Sequence, residues 1–151
     1  MLAAVIAVLG TLLGAVVAGA FQQKNASRTQ RAAADEQLRR ARLEAVTALA
    51  AAGSDHRRAM WMRGEAELAG TSPERLEELR IASHATRSAI TRPLVAVQVL
   101  IPDPTVRTTA KDLVVAAYCM RDEAHTIEAL TAAREAHDRF VDAAAAFLTA
   151  A

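Results

Sequence analysis

The stretch that decides the fold is LAAVIAVLGTLLGAVVAGAF, residues 2–21, which carries no charged side chain and nothing more polar than Thr11. At the rise of an α-helix, about 20 such residues cross about 30 Å of hydrocarbon. The run is therefore read as a single N-terminal transmembrane helix, residues 1–21. No Lys or Arg precedes it, whereas Lys24, Arg28 and Arg31 follow it at once. Flanking basic residues stay on the cytoplasmic side of a span. This predicts a protein of the cell membrane, with its amino terminus outside and its remainder cytoplasmic. The same three cations suit anionic headgroups. The rival reading is a secretory signal peptide cut after Ala18-Gly19-Ala20, but such a peptide wants a basic start that this chain lacks.

Within the run, Gly10, Gly14 and Ala18 fall four apart. Small residues at that step let two spans approach closely and gain dispersion contacts, which predicts a homo-oligomer through this face. The plain alternative is that Ala and Gly are simply frequent in an Ala-rich chain.

After the anchor, about 130 of the 151 residues remain, enough for one domain with a modest core. Apolar residues make up 52% and aromatics only 3%, so that core must be built from Ala, Leu, Val and Ile, which favours packed helices over a sandwich. A formal charge of +1 gives no general pull toward nucleic acid. One cysteine, Cys119, excludes an intrachain disulfide and suits a reducing compartment.

Residues 22–37 hold no apolar stripe, no Pro and no Gly, and read as a solvated helical stalk that Asn25 or Ser27 could interrupt. From Leu38 the pattern changes. Leu38, Ala45, Val46, Leu49, Ala52, His56 and Met60 project on one side at 100° per residue, widened by Leu43, Ala50, Trp61 and Leu68. One helix should run to Leu68 and close at Gly70. Ser72 can cap the next, with Pro73 at its first position and Glu74 at the positive end of its dipole. Leu76, Leu79, Ser83, Thr86, Ile90, Val97 and Leu100 continue in steps of three and four, and Pro93 should kink or break this helix. A strand over residues 94–101 is the rival, since Val95, Val97 and Val99 alternate. A helix is preferred because Ile90, Leu94, Val97 and Ile101 share a face and no second strand is present to pair.

Pro102-Asp103-Pro104 is a turn, cap and first helical residue in one. Val106, Ala110, Leu113, Ala117 and Met120 then face inward. Thr126 can cap a last helix whose stripe is Ile127, Leu130, Arg134, His137, Val141, Ala144 and Leu148, flanked by Phe140 and Phe147. Short connections make neighbours antiparallel. The fold class is all-α: a transmembrane helix (1–21), a stalk (22–37) and an antiparallel bundle of about four helices (38–151).

Chemistry is harder to find. Asp35 and Arg39, Glu36 and Arg40, Arg63 and Glu67, and Glu135 and Arg139 are each four apart, so most arginines have a local partner on a solvated face. Direct nucleic-acid binding is disfavoured, because no helix-turn-helix, finger or aromatic platform accompanies them. His56, His84, His125 and His137 are scattered without metal-ligand spacing. His56 and His137 lie on core-facing stripes, where a hydrogen-bonded interior histidine is the simpler reading. Cys119 reads as a small apolar filler. Trp61 reads as a packing residue with Arg57 able to lie over its ring. Arg57, Arg58, Trp61 and Arg63 are the candidate partner contacts. No phosphate loop or catalytic triad is legible, and the reading is of a non-enzyme with no metal or cofactor.

Taken together, AVLGTLLGA at residues 7–15, the Gln/Lys/Arg junction at 22–31, QLRRARLEAV at 37–46 and Asp55-His56-Arg57-Arg58-Ala59 resemble the Kil-type (KilB) plasmid spread proteins of actinobacterial conjugative elements, most strongly over residues 5–63. The resemblance implies a small membrane-associated protein linked to plasmid spread through the mycelium and harmful when overproduced. It brings no catalytic residues. The expected function is an anchored interaction protein that holds protein partners of a DNA-transfer apparatus. The alternatives are a membrane-perturbing toxin acting through its span and a DNA-binding membrane tether using Arg57, Arg58 and Arg63.

Overall fold

The computed structural model describes the backbone of residues 2–120 and 127–150, and the side chains of residues 23, 24, 26–120 and 127–150. Its elements are α1 (Leu2–Leu68), α2 (Pro73–Ala89), α3 (Thr91–Leu100), α4 (Pro104–Cys119) and α5 (Ile127–Ala150), with no strand among the described residues. The strand considered for residues 94–101 is thereby excluded: all but the last of them are helical. The chain divides into two units, residues 1–38 and 39–151.

In the first unit the backbone is helical throughout from Leu2, so neither Asn25 nor Ser27 interrupts it. The Ser27 hydroxyl donates to the Lys24 carbonyl at 3.0 Å, a bond made within the helix rather than in place of it. The described side chains of residues 23–38 are exposed except for Ser27, which is half-buried. Among the described residues no helix is long and apolar enough to cross a membrane. The span expected at residues 2–21, with its packing positions Gly10, Gly14 and Ala18, lies outside the residues whose side chains are described.

In the second unit the punctuation residues act as their chemistry dictates. Gly70 takes φ +62°, its N–H meets the Glu67 carbonyl at 3.2 Å, and Thr71 N–H reaches back to Ala66 at 3.1 Å. This is the left-handed closure that glycine permits without steric cost. Ser72 Oγ accepts from Arg75 N–H at 3.4 Å and Asp103 Oδ1 accepts from Val106 N–H at 2.9 Å, each with proline as first helical residue. Pro93 has no N–H to offer the Ala89 carbonyl. The helix tightens there: Ile90 N–H bonds Arg87 at 3.3 Å, ending α2, and Leu94 N–H bonds Ile90 at 3.1 Å, opening α3. The break keeps Ile90 and Val97 on one side, both fully buried.

The helices run antiparallel. Arg42 Nε donates to the Leu100 carbonyl at 2.9 Å while His56 meets Thr86 at 3.0 Å, so α1 and the α2–α3 pair pass in opposite directions. Gln98 bonds Arg107, and Tyr118 lies under Arg87, which does the same for α4. On α5, Phe147 lies beside Arg42 while Leu130 and Arg134 lie beside Trp61 and Arg57. With α2 and α3 counted as one broken helix, this is a four-helix bundle.

One core joins Val46, Leu49, Ile90, Val97, Ile101, Val106, Leu113 and Phe140, and a smaller one joins Met60, Met120 and Ala133. Close approach substitutes for aromatic bulk. A Cβ on Gly53 would stand 3.2 Å from Leu113 Cδ1, so α1 and α4 touch there almost backbone to side chain.

Several expected inward positions are out. Leu38, Leu43 and Leu68 are exposed, and so are Ile127 at 75% and Val141 at 36%. On α5 the expected Ala144 and the flanking Phe140 are buried, and Ala129, Ala133 and Ala136 complete the buried face in place of the rest of the stripe. Alanine there lets α5 settle close against α4. The proposed cap Thr126 lies outside the described residues.

Candidate functional site

Helix α1 carries two different arginine clefts, because residues 56, 60 and 63 share one side at 100° per residue while 54, 57, 58 and 61 share the next. The first lies between α1 and α2, is lined by His56, Met60, Arg63, Arg80, Ser83, His84 and Arg87, and encloses about 290 Å³. Its cations are occupied. Arg63 Nε donates to Glu67 at 2.9 Å, Arg80 makes two bonds of 2.6 Å to Glu77, and the Arg87 guanidinium sits 3.7 Å over the Tyr118 ring.

His56 is the buried centre of that cleft at 2% exposure. Thr86 Oγ1 spends its one hydrogen on the Ser83 carbonyl at 3.0 Å, so the 3.0 Å contact to His56 has Nδ1–H as donor. The Tyr118 ring meets the imidazole edge-on at 5.6 Å. Burial, and then the positive Arg87, hold His56 below its ordinary pKa, with the Ser83 carbonyl pulling weakly the other way. It is a neutral structural histidine.

The second cleft lies between α1 and α5, is lined by Ser54, Arg57, Arg58, Trp61, Leu130 and Arg134, and encloses about 320 Å³. No carboxylate is among its lining residues. Partial burial pushes the Arg57 guanidinium below its ordinary pKa, with Arg134 and Arg58 adding to the shift and Asp138 opposing it. The arrangement can take an anion against the guanidiniums and an apolar group against Trp61 and Leu130.

Of the expected contacts, Arg57, Arg58 and Trp61 are thus brought together, and Arg63 is separated from them onto the other cleft. Arg134 completes the second cleft. The sequence had assigned it to a core stripe, and a charge on such a stripe was the signal that this face is open. Among the described residues the guanidiniums over rings are Arg87 on Tyr118 and Arg42 on Phe147 at 5.4 Å, in place of the expected Arg57 on Trp61. Lys24, Arg28 and Arg31 are exposed on α1 in the first unit. His137 is partly buried beside Asp138 at 3.2 Å, and His84 is exposed. His125 lies outside the described residues. Cys119 is exposed at the end of α4 rather than filling the interior. No cluster of potential metal ligands occurs among the described residues.

Comparison with known proteins bears on the same unit. The family described as KilB plasmid transfer protein matches residues 43–148, from within α1 nearly to the end of α5. Protein KilB of Streptomyces lividans is 52% identical over 102 residues, covering 68% of this chain and 67% of the relative. No solved structure matches the chain. Of the stretch where the resemblance is strongest, residues 5–63, the family match takes in only residues 43–63, and it runs on through α2, α3, α4 and most of α5; the chain belongs to the KilB plasmid transfer protein family.

Proposed function

We propose that the protein is a membrane-anchored, non-enzymatic interaction module of plasmid transfer or spread. Residues 2–21 span the cell membrane with the amino terminus outside, and the helical bundle engages protein partners of the DNA-transfer apparatus on the cytoplasmic side. The observation that carries this reading is where the family match falls: residues 43–148 are the unit that holds both clefts, downstream of an uncharged run. Support for the anchor and its orientation comes from the composition of that run and from Lys24, Arg28 and Arg31 after it. Gly10, Gly14 and Ala18 supply a face through which two spans can pair.

If the bundle is the working part, its placement relative to the membrane matters. Replacing residues 22–37 by a Gly/Ser linker of equal length leaves the bundle core intact, since that core begins at Ala45. Plasmid spread should fall at matched protein level while membrane localisation persists. Unchanged spread would overturn the reading in favour of the span as the active part. In that event residues 1–31 alone would arrest growth and admit dye.

A further inference from the structure

We propose that the cleft between α1 and α5 is a docking site for an acidic segment of a protein partner, one that offers an Asp or Glu carboxylate next to an apolar side chain. This deepens the reading of the bundle as an interaction module and rests on it.

Three guanidiniums, Arg57, Arg58 and Arg134, line one cleft without a lining carboxylate, and none of them makes an ion pair among the described residues. The contrast with the α1–α2 cleft is direct, because there every arginine is bonded to a glutamate or stacked on a ring. Burial comes first in holding the half-buried Arg57 below its ordinary pKa; Asp138 pulls the other way, and the exposed Arg134 and Arg58 add a repulsion. An incoming carboxylate relieves it, and the guanidinium fork suits a carboxylate with two parallel hydrogen bonds.

The cleft also has an apolar end. Because α1 and α5 are antiparallel, Arg57 faces the Arg134 level while Trp61, one turn on, faces Leu130 one turn back. Trp61 and Leu130 are both half-buried, able to accept an apolar side chain and to shed water in doing so. Tryptophan and arginine side by side are the residue types that most often carry binding energy at protein interfaces.

The extent of the charge selects a peptide over a nucleic acid. Asp138 lies one turn beyond Arg134, and Glu65 one turn beyond Trp61, both exposed, so carboxylates bound the cleft at each end. A nucleic acid strand lays phosphates in a continuous row and needs a basic track to follow. A volume of about 320 Å³ instead suits one or two side chains.

Trp61 is the one tryptophan of the chain, so its emission reads the site without a label. The full-length protein in zwitterionic micelles would be titrated with a helical peptide carrying Glu and Leu four residues apart, with a scrambled peptide of the same composition, with duplex DNA and with phosphatidylglycerol vesicles. The expected result is a saturable change with the first peptide, weakened about tenfold by R134Q or R57Q, as loss of a desolvated charge pair implies. R139Q, on the exposed Glu135 side of α5, should leave it unchanged. No saturable response, an equal response to the scrambled peptide, or tighter saturation by DNA or vesicles would each overturn the proposal. If the peptide fails to bind while the stalk-linker variant still impairs spread, the cleft assignment falls and the interaction reading stands.

Discussion

Arg57 and Arg63 leave the same helix within two turns of each other and meet opposite fates. Arg63 is bonded to Glu67 beside a cleft whose other cations, Arg80 and Arg87, are also occupied, and whose centre is the buried His56. Arg57 stands with Arg58 and Arg134 in a cleft that offers them no lining carboxylate. Arg63 has a glutamate one turn on along α1 itself, whereas the residue one turn on from Arg57 is Trp61, and α5 opposite it supplies the cation Arg134. Residue type alone therefore does not say whether an arginine belongs to the fold or is available to a ligand.

With docking at the cleft as proposed, the inward and α2-facing sides of α1 carry stability and the α5-facing side carries binding. The largest effect is expected at Leu49, fully buried in the main core. Leu49→Ala should cost about 2–5 kcal/mol through lost burial and a residual cavity. Thermal melting followed by circular dichroism measures it, and a cost near zero would mean α1 does not pack as described. Next comes His56→Ala, expected to cost about 1–3 kcal/mol because it empties a packed site and removes the donor to Thr86. The same melts, with binding by the Trp61 signal unaltered, would keep the two sides distinct.

A subtler prediction concerns acid. The unfolded chain protonates His56 as pH falls past its ordinary value of 6.5, whereas burial and Arg87 keep the folded form neutral to lower pH. In that window the unfolded state binds more protons, so this contribution to stability is complete above 6.5 and is lost as pH falls through the lowered folded value. Melting temperatures between neutral and mildly acidic buffer should drop more for the parent than for His56→Gln. Parallel drops would assign the acid sensitivity elsewhere. Smallest of all should be Arg134→Gln, an exposed change worth within about 0.5 kcal/mol of stability. A marked loss of melting temperature in that variant would move Arg134 from the binding side to the structural one.

The local punctuation of the fold was legible. Gly70, Ser72-Pro73 and Pro102-Asp103-Pro104 each lie where the chain ends or starts a helix, because backbone freedom, a side-chain oxygen and a missing N–H act within one turn. The break forced by Pro93 was legible for the same reason. The inward face of α4 was read correctly at Val106, Ala110, Leu113, Ala117 and Met120, where Val106, Leu113 and Met120 supply the bulk that marks one side. On α5 Ala144 is inward as expected, but most of the expected stripe lies about one residue of rotation, near 100°, from the buried face. Ile127 and Val141 face out while Ala129, Ala133 and Ala136 face in. An Ala-rich helix offers two nearly equivalent apolar stripes, and the one that lets the backbones come closer wins. That rotation placed Arg134 in the cleft and hid it from a reading of the sequence.

The helices of the bundle, the ends marked by Gly70, Ser72-Pro73 and Pro102-Asp103-Pro104, and the antiparallel order follow from residues near one another along the backbone. The pairing of Arg63 with Glu67 belongs to that local set, whereas which arginines share a cleft, and which lie over a distant ring, depends on the packing of the helices. A side chain's partner across a bundle depends on the rotation and approach of two whole helices, and that is settled by the packing of every residue between them.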